Sequence, residues 1–239
     1  MTWKSYKGKI TSIRLLAPKV SELVLTLVDP PSLKFQPGQA VAITVPTSHP
    51  ETSIRRYYSL ASPPSSAHQV SLLFDQGEQG IASEFLRNQS VGGELVLEGP
   101  FGSFCLQDDS VRDELLFVAT GTGIAPIRSM IATLLEANVS RPIRLLWGLR
   151  RECDVYYLEE FQSWAAQYPH FSFTLTLTQA ESQWSGCRGR VTHVLDGMNH
   201  LDRVAAYVCG GRKMVTEVTT LLHRRGVARV YHERHHEAN

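Results

Sequence analysis

The sequence predicts a two-domain protein in which an antiparallel β-barrel or β-sandwich precedes a doubly wound α/β domain. Residues 7–99 form short runs in which apolar and polar residues alternate, as they do in half-buried β-strands. After a polar stretch at 107–114, continuous apolar runs alternate with longer amphipathic segments. This second pattern indicates parallel strands with helices on both faces of the sheet. We therefore predict one domain over 1–107 and another over 108–239.

Proline- and glycine-containing turns, such as 36–39 and 62–65, separate the predicted strands of the first domain. We predict strands over 9–15, 22–28, 40–45, 56–60, 70–74 and 95–97, and one short helix over 82–88.

In the second domain each apolar run is short enough for a strand, and three of the segments that follow are long enough for a helix. We predict strands over 115–119, 143–147, 171–178, 205–209 and 230–232, and helices over 124–137, 157–168 and 214–225.

Composition excludes several classes of protein. The 239 residues are 43% hydrophobic and carry a formal net charge of +1, so we expect a packed core and neither nucleic-acid binding nor a basic membrane anchor. No run approaches the ~18 apolar residues of a membrane span, and the first residues lack a signal-peptide core, which predicts a cytoplasmic protein. The four cysteines are widely spaced, so we expect no bound metal and no iron-sulfur cluster: Cys105, Cys153, Cys187 and Cys209.

The segment Gly121–Pro126 follows the first strand of the second domain and opens its first helix. Glycines there would let a pyrophosphate approach the backbone N–H groups of a helix N-terminus, although a proline near this position is also an ordinary helix start. Gly148 and the segment Cys209–Gly211 also end predicted strands. Because ligands of doubly wound sheets bind beyond the carboxyl ends of the strands, this edge is the predicted nucleotide site.

The segment Arg55–Ser59 puts cations, aromatic rings and a hydroxyl on one strand of the first domain. An arginine can bind a phosphate, and a tyrosine ring can stack on a flat heterocycle. Gly80–Ser83 adds backbone N–H groups at the start of the short helix. The alternative interpretation is an edge strand with core tyrosines and solvated arginines, with Ser83 as a simple helix cap.

Together, the order of these motifs resembles that of the ferredoxin-NADP reductase superfamily over nearly the whole chain. Six segments carry the resemblance. They are Arg56–Ser59 (R-x-Y-S), Gly80–Ser83 (G-x-x-S), Gly99–Phe104 (G-P-x-G-x-F), Gly121–Pro126 (G-T-G-x-A-P), Cys209–Met214 (C-G-x-x-x-M) and Tyr231–Arg234, which resembles the terminal acidic element of the oxygenase reductases.

The resemblance implies an FAD-binding β-barrel domain followed by an NAD(P)-binding α/β domain, with flavin and nicotinamide meeting in the cleft. It implies a flavoprotein reductase without an iron-sulfur domain. Such an enzyme takes hydride from NADH or NADPH onto a bound flavin and passes electrons to a separate iron-sulfur protein or oxygenase component. FAD is favoured and FMN is possible. Two alternatives stay open: a reductase of free flavin, and a non-catalytic flavin- or nucleotide-binding electron-transfer subunit.

The resemblance also implies roles for individual residues. Ser59 would hydrogen-bond near the flavin N5, and Cys209 and Glu233 would line the nicotinamide side. Cofactor binding is assigned to Arg56, Tyr57, Tyr58, Ser59, Gly80, Ile81, Ala82, Ser83, Gly121, Thr122, Gly123, Ile124, Ala125, Pro126, Gly148, Arg150, Cys209, Gly210 and Met214.

Two departures from the family pattern bear on the cofactors. Asp75 stands where many relatives carry a cation near the flavin phosphate, which leaves open the identity of the flavin and the tightness of its binding. Gln179 and Glu181 replace the arginine that often binds the 2′-phosphate of NADPH, which favours NADH. Arg150 and Arg151, after Gly148, could still accept that phosphate.

Overall fold

The computed structural model describes residues 4–47, 53–76, 80–108 and 114–234. Within these residues the chain forms one antiparallel and one parallel six-stranded sheet. The chain divides into two compact units, Met1–Leu106 with Arg128–Thr133, and Gln107–Ile127 with Leu134–Asn239. Residues 109–113, beside the predicted domain boundary, lie outside the described residues, so the boundary itself stays a prediction.

The antiparallel sheet is closed into a barrel. Its strands are β1 (Lys4–Ala17), β2 (Val20–Asp29), β3 (Ala40–Pro46), β4 (Ser53–Ser59), β5 (Gln69–Asp75) and β6 (Glu94–Phe101), in the order β4-β3-β6-β1-β2-β5. Immediately after β4, Leu60 bridges to Leu72 of β5, and the Ala61 N–H donates to the Ser71 carbonyl at 2.8 Å. These contacts join the two outer strands, so the sheet is a closed barrel and not a sandwich.

The barrel core contains the inward side chains of the alternating strands. On β1, Tyr6 and Ile10 are buried while Lys7 and Lys9 are exposed, which is the alternation that predicted the strand. One helix, α1 (Ile81–Arg87), lies between β5 and β6 in the chain and adds Ala82 to this core.

The parallel sheet has the order β10-β9-β8-β7-β11-β12. Its strands are β7 (Glu114–Thr120), β8 (Ile143–Leu149), β9 (Phe171–Leu177), β10 (Cys187–Arg188), β11 (Val204–Gly210) and β12 (Arg229–Arg234). The helices are α2 (Ile124–Glu136), α3 (Leu158–Gln167), α4 (Val191–Asp196) and α5 (Arg212–Arg224). Strands β7, β8 and β11 are buried almost throughout because both faces of the sheet are covered, which explains their continuous apolar sequences.

The chain builds this sheet outward from β7, first toward β8 and β9 and then, after α4, on the other side with β11 and β12. The strand order therefore reverses between β7 and β11. In doubly wound sheets, a crevice opens beyond the carboxyl ends of the strands at such a switch point. Among the described residues, no helix is long and apolar enough to cross a membrane.

The predicted fold class is confirmed, and each predicted strand and helix overlaps an observed one. The sequence did not predict β10 and α4, which lie in the polar stretch between β9 and β11. Strand β10 has only two residues, and α4 has six, so neither is long enough to show a periodic pattern.

Candidate functional site

At the switch point, a tight turn joins β7 to α2. Gly121, Thr122 and Gly123 form one turn of 3₁₀-helix that continues into α2. Gly121 has φ +52°, in the left-handed region that favours glycine. Apart from Gly121 and its two chain neighbours, no heavy atom of the described chain lies within 4 Å of where its Cβ would be. The turn thus presents backbone to open space at the start of a 13-residue helix, a geometry suited to binding phosphate.

The other glycines of this edge allow β7, α2 and β11 to approach closely. A Cβ on Gly123 would lie 2.5 Å from the carbonyl oxygen of Cys209 and 2.7 Å from its carbonyl carbon. Gly210 has φ +153°, and its Cβ would lie 2.3 Å from Thr120 Oγ1 and 2.5 Å from Met214 Cε. These two positions exclude a side chain for steric reasons, whereas Gly121 leaves room beside the backbone.

The carbonyl oxygen of Gly121 accepts hydrogen bonds from three donors. Trp147 Nε1 lies at 3.3 Å, the Tyr156 hydroxyl lies at 3.0 Å, and the Ile124 N–H closes the 3₁₀ turn. Trp147 is 1% exposed and Tyr156 is 5% exposed. Sequence reasoning did not find these two donors, because neither a tryptophan in an apolar strand nor a tyrosine in the loop after it carries any sign of the carbonyl that it contacts.

Cys209 and Glu233, two of the three residues predicted to be catalytic, are brought together. They are register partners on the adjacent strands β11 and β12, and Cys209 also pairs with Ala119 of β7. Cys209 is fully buried, and this burial raises the pKa of its thiol well above the ordinary 9.0. The Glu233 carboxylate raises that pKa further, while a hydrogen bond with the Gly210 backbone lowers it, so the thiol is protonated at neutral pH.

Two exposed arginines follow β8, and both contact the loop after β9, Arg150 through its backbone carbonyl and Arg151 through its side chain. The Gln179 N–H donates to the Arg150 carbonyl at 2.8 Å, and Arg151 Nε donates to Gln179 Oε1 at 3.1 Å. The guanidinium group of Arg188 donates to several carbonyls of the same loop, including that of Ala180 at 3.1 Å. These contacts hold the 150–151 and 179–184 segments together at the carboxyl edge of the sheet.

The remaining residues predicted to bind the nucleotide are mostly buried. Ile124, Ala125 and Pro126 are buried at the start of α2, and Met214 is half-buried at the start of α5. Gly148 is buried under α4, where its Cβ would lie 2.8 Å from Val191 Cγ1. The structure therefore explains Gly148 by packing, and its predicted contact with a nucleotide stays a prediction.

On the barrel, β4 carries the first set of residues predicted to bind flavin. Tyr58 packs against the barrel core, whereas Tyr57 is 59% exposed and meets Phe101 edge-to-face with ring centroids 5.2 Å apart. Arg56 and Ser59 are half-buried. Tyr58 is only partly buried against the core and Tyr57 is exposed, so neither ring is a fully buried core tyrosine.

The second set lies at the start of α1. Strand β4 pairs with β3, and α1 also contacts β3, so the fold places both predicted flavin motifs beside one strand. Apart from Gly80 and its two chain neighbours, no heavy atom of the described chain lies within 4 Å of a Cβ built on Gly80. The adjacent Ile81 is 48% exposed. Ser83 is half-buried, and Ala82 is buried in the barrel core.

The residues at β4 and α1 fit a flavin that carries a phosphate. Gly80 leaves open space beside the backbone, and Arg56 and Ser83 supply a cation and a hydroxyl. Asp75 ends β5 opposite Val20. In the next residue, the Gln76 carbonyl accepts a hydrogen bond from Arg87 Nη1 at 2.8 Å, which brings a cation to the strand end that carries the acidic residue.

Comparison with known protein families assigns a separate domain to each of the two sheets. The family model described as an oxidoreductase FAD-binding domain matches residues 7–105. The model described as an oxidoreductase NAD-binding domain matches residues 117–220.

Similar proteins extend over nearly the whole chain. The reductase component of phenol 2-monooxygenase from Pseudomonas sp. (strain CF600) is 34% identical over 230 residues, which cover 93% of this chain and 63% of that relative. Ferredoxin–NADP reductase B from Sorangium cellulosum (strain So ce56) is 32% identical over 223 residues, 90% of each chain. Several other curated relatives are longer proteins as well, of which this chain spans 60% to 67%.

Among solved structures, the cytochrome P450 reductase from Amycolatopsis has the same fold, with a TM-score of 0.86 at 24% identity over 98% of this chain and 71% of that one. The two domain matches occur in the predicted order, and this chain covers 90% of the Sorangium relative. Both findings agree with the motif order and with a barrel followed by a doubly wound sheet. The chain belongs to the ferredoxin-NADP reductase superfamily, and it contains an FAD-binding and an NAD-binding oxidoreductase domain.

Proposed function

We propose that this protein is a flavoprotein reductase that takes hydride from a nicotinamide nucleotide onto a bound FAD and passes electrons to a separate ferredoxin or oxygenase component. The observation that carries the proposal is the site at the switch point, where the open Gly121 turn lies beside the Cys209–Glu233 pair. The names of the Pseudomonas and Sorangium relatives, a monooxygenase reductase component and a ferredoxin–NADP reductase, support it. The bound flavin supplies the chemistry that links a two-electron hydride donor to a one-electron acceptor.

On the barrel, the proposed task of the protein is to hold and orient the flavin. The Arg56 guanidinium group would pair with phosphate, the Tyr58 ring would stack on the flavin, and the Ser59 hydroxyl would donate a hydrogen bond near the reacting nitrogen. The backbone at Gly80–Ser83 would contact the phosphate. We include the exposed Tyr57 ring in this binding set.

In the α/β unit, the proposed task is to hold the nucleotide and to control charge. The 121–126 turn would bind the pyrophosphate through its N–H groups, with Gly148, Arg150, Gly210 and Met214 around it. Because the pKa of Cys209 is raised, its thiol stays neutral and places no negative charge beside the nicotinamide. The Glu233 carboxylate, the register partner of Cys209, would hold or release the proton that accompanies electron transfer.

We propose NADH as the preferred donor. Binding the extra phosphate of NADPH requires a cation that is free to pair with it. At the carboxyl edge of β8 and β9, Arg151 is engaged by Gln179, and Arg188 is engaged by loop carbonyls. The third arginine of this edge, Arg150, is the one assigned above to the pyrophosphate. Glu152 lies at the same loop, where its Oε1 accepts the Glu181 N–H at 2.8 Å, and its charge would repel a phosphate.

The first test is an absorbance spectrum of the purified protein before and after anaerobic addition of NADH, repeated with NADPH. We expect a yellow protein that NADH bleaches at a lower concentration than NADPH does. Flavin that stays oxidised with both nucleotides would refute the reductase proposal and would leave a non-catalytic binding subunit.

A second candidate function, the reduction of free flavin, is favoured by one observation, the acidic Asp75 at the end of β5. A negative charge near the phosphate would weaken flavin binding. Protein that purifies colourless and oxidises NADH with a saturable dependence on added flavin would establish this function in place of the first. Flavin that copurifies in stoichiometric amount would exclude it.

We propose a domain boundary at 107/108, which predicts that limited proteolysis cuts first near that point. We also propose a cytoplasmic location, which agrees with the finding that no described helix is long and apolar enough to cross a membrane. Cell fractionation tests it, and recovery in a membrane or secreted fraction would contradict it.

A further inference from the structure

The Gly121 carbonyl accepts hydrogen bonds from side chains outside the nucleotide turn as well as from the turn itself. The 3₁₀ turn itself requires only the Ile124 N–H as a donor. Two side chains from outside the turn, Trp147 on β8 and Tyr156 in the loop after it, add their own hydrogen bonds at 3.3 and 3.0 Å. A carbonyl oxygen has two lone pairs, so three converging donors leave its direction little freedom.

The direction of this carbonyl also sets the direction of the next N–H. Peptide groups are planar, and the described chain has cis bonds only before Pro30 and Pro100, so the bond between Gly121 and Thr122 is trans. In a trans peptide the C=O and N–H point in opposite directions. Because the Gly121 oxygen points toward two buried aromatic side chains, the Thr122 N–H points away from them.

The two donors are themselves held in place by aromatic packing. The rings of Trp147 and Tyr156 meet edge-to-face with centroids 4.8 Å apart, and Trp147 makes a similar contact with Phe161 at 5.8 Å. Buried indole N–H and phenol O–H groups need acceptors, and here both find the same one. The rigid aromatic cluster is therefore coupled to the turn through a single oxygen atom.

We propose that Trp147 and Tyr156 are positioning residues for the nucleotide, because their hydrogen bonds to the Gly121 carbonyl fix the Thr122 N–H in the direction from which it binds the pyrophosphate. This inference rests on the proposed function, since it assigns the ligand of the turn. Neither side chain needs to touch the nucleotide. Both act by reducing the ordering that the turn must undergo when the ligand binds.

The test uses Tyr156→Phe, which removes only the hydroxyl group, in the full chain with its flavin. The matched control is Tyr207→Phe, because the Tyr207 hydroxyl accepts a backbone hydrogen bond from Gln107 at 3.0 Å, elsewhere in the same unit. We expect the Kd for NAD⁺ to rise about three- to tenfold in Tyr156→Phe and to stay within twofold in Tyr207→Phe. Flavin content should be unchanged in both.

Hydrogen exchange of the ligand-free protein provides a readout that does not depend on nucleotide binding. In Tyr156→Phe, the peptide spanning 120–125 should exchange faster, because the bond from Ile124 N–H to the Gly121 carbonyl opens more often. Tyr207→Phe should leave that peptide unchanged. A structural defect alone would lower the Tm of both variants without this local difference.

The contribution of Trp147 is tested with Trp147→Phe, and Trp164→Phe is its control because it makes the same substitution in the same aromatic cluster. We expect weaker NAD⁺ binding only in Trp147→Phe. If Tyr156→Phe and Trp147→Phe bind NAD⁺ like their controls, the inference is wrong while the proposed function stands. Failure of the wild-type protein to bind either NAD⁺ or NADP⁺ would overturn both.

Discussion

Replacement of Gly123 by alanine should separate the nucleotide turn from strand β11. The added Cβ would lie 2.5 Å from the Cys209 carbonyl oxygen, 2.7 Å from the Cys209 carbonyl carbon and 2.8 Å from Gly210 Cα. All three are backbone atoms at the end of β11, which is paired on both sides by β7 and β12. The strand cannot yield as a flexible side chain would, so the turn must move.

The size of the movement follows from these distances. Ordinary contact begins at 3.4 Å, so the closest pair must separate by about 0.9 Å. A displacement of about 1 Å can lower the rate of a reaction in a well-oriented site by on the order of 100-fold. We expect the Kd for the nucleotide to rise about 10- to 100-fold, or about 1.4 to 2.7 kcal/mol. Overpacking should also lower the free energy of unfolding by about 1 to 3 kcal/mol.

Titration with NAD⁺ and thermal unfolding of the same preparations measure both effects. Gly197→Ala is the matched control, because Gly197 lies in the same unit with φ −80° and its Cβ would lie an ordinary 3.6 Å from the Val194 carbonyl oxygen. We expect the control to stay within about 0.5 kcal/mol of wild type in stability and to bind NAD⁺ normally. A Gly123→Ala variant with wild-type Kd and Tm would refute the steric argument.

Three further predictions concern Cys209, Ser59 and Gln179. Because the folded-state pKa of the Cys209 thiol is raised, its contribution to the free energy of unfolding is complete below pH 9.0 and is lost above it, at up to about 1.4 kcal/mol per pH unit. In denaturant titrations from pH 7 to 10.5, the free energy of unfolding should therefore fall less steeply in Cys209→Ala than in the wild type. Equal slopes would contradict the assignment. Ser59→Ala should retain its flavin, but NADH should reduce that flavin about 10- to 100-fold more slowly in anaerobic stopped-flow measurements. The control Ser53→Ala, at the exposed start of the same strand, should be reduced at the wild-type rate. Equal rates in the two variants would remove Ser59 from the mechanism. Gln179→Arg should raise kcat/KM for NADPH at least about tenfold, because it adds a guanidinium group and releases Arg151 from its hydrogen bond. The control Gln167→Arg, at the end of α3, should leave kcat/KM for NADPH unchanged. An unchanged kcat/KM in Gln179→Arg would mean that the 2′-phosphate binds elsewhere.

The fold was predictable from the sequence because each long element carries its own periodic signal. Strand β1 alternates because one face lies in the barrel core, and β7 is continuously apolar because both faces of the parallel sheet are covered. Strand β10 and helix α4 were not predictable, because two and six residues are too few to show a periodic pattern. They depend instead on contacts with β9 and α5, respectively, which exist only in the folded chain.

The candidate site was predictable only in part. The order of the glycine-containing segments placed a nucleotide site at the carboxyl edge of the sheet, and the structure brings Gly121, Gly123 and Gly210 together there. Their sequence did not distinguish two different functions of glycine at this edge. Gly121 leaves open space beside the backbone, whereas Gly123 and Gly210 avoid side chains that would strike backbone or neighbouring side-chain atoms.

The sequence by itself determined the two-domain fold class, the positions of the motifs within it and the kind of ligand that each motif suits. These properties depend on local spacing, which the chain carries whether it is folded or not. Only the tertiary structure decided that β4 and β5 close the barrel, that Cys209 and Glu233 are neighbours, and that Trp147 and Tyr156 reach the Gly121 carbonyl. Those two donors lie 26 and 35 residues beyond Gly121, so only the parallel pairing of β7 with β8 brings them to it.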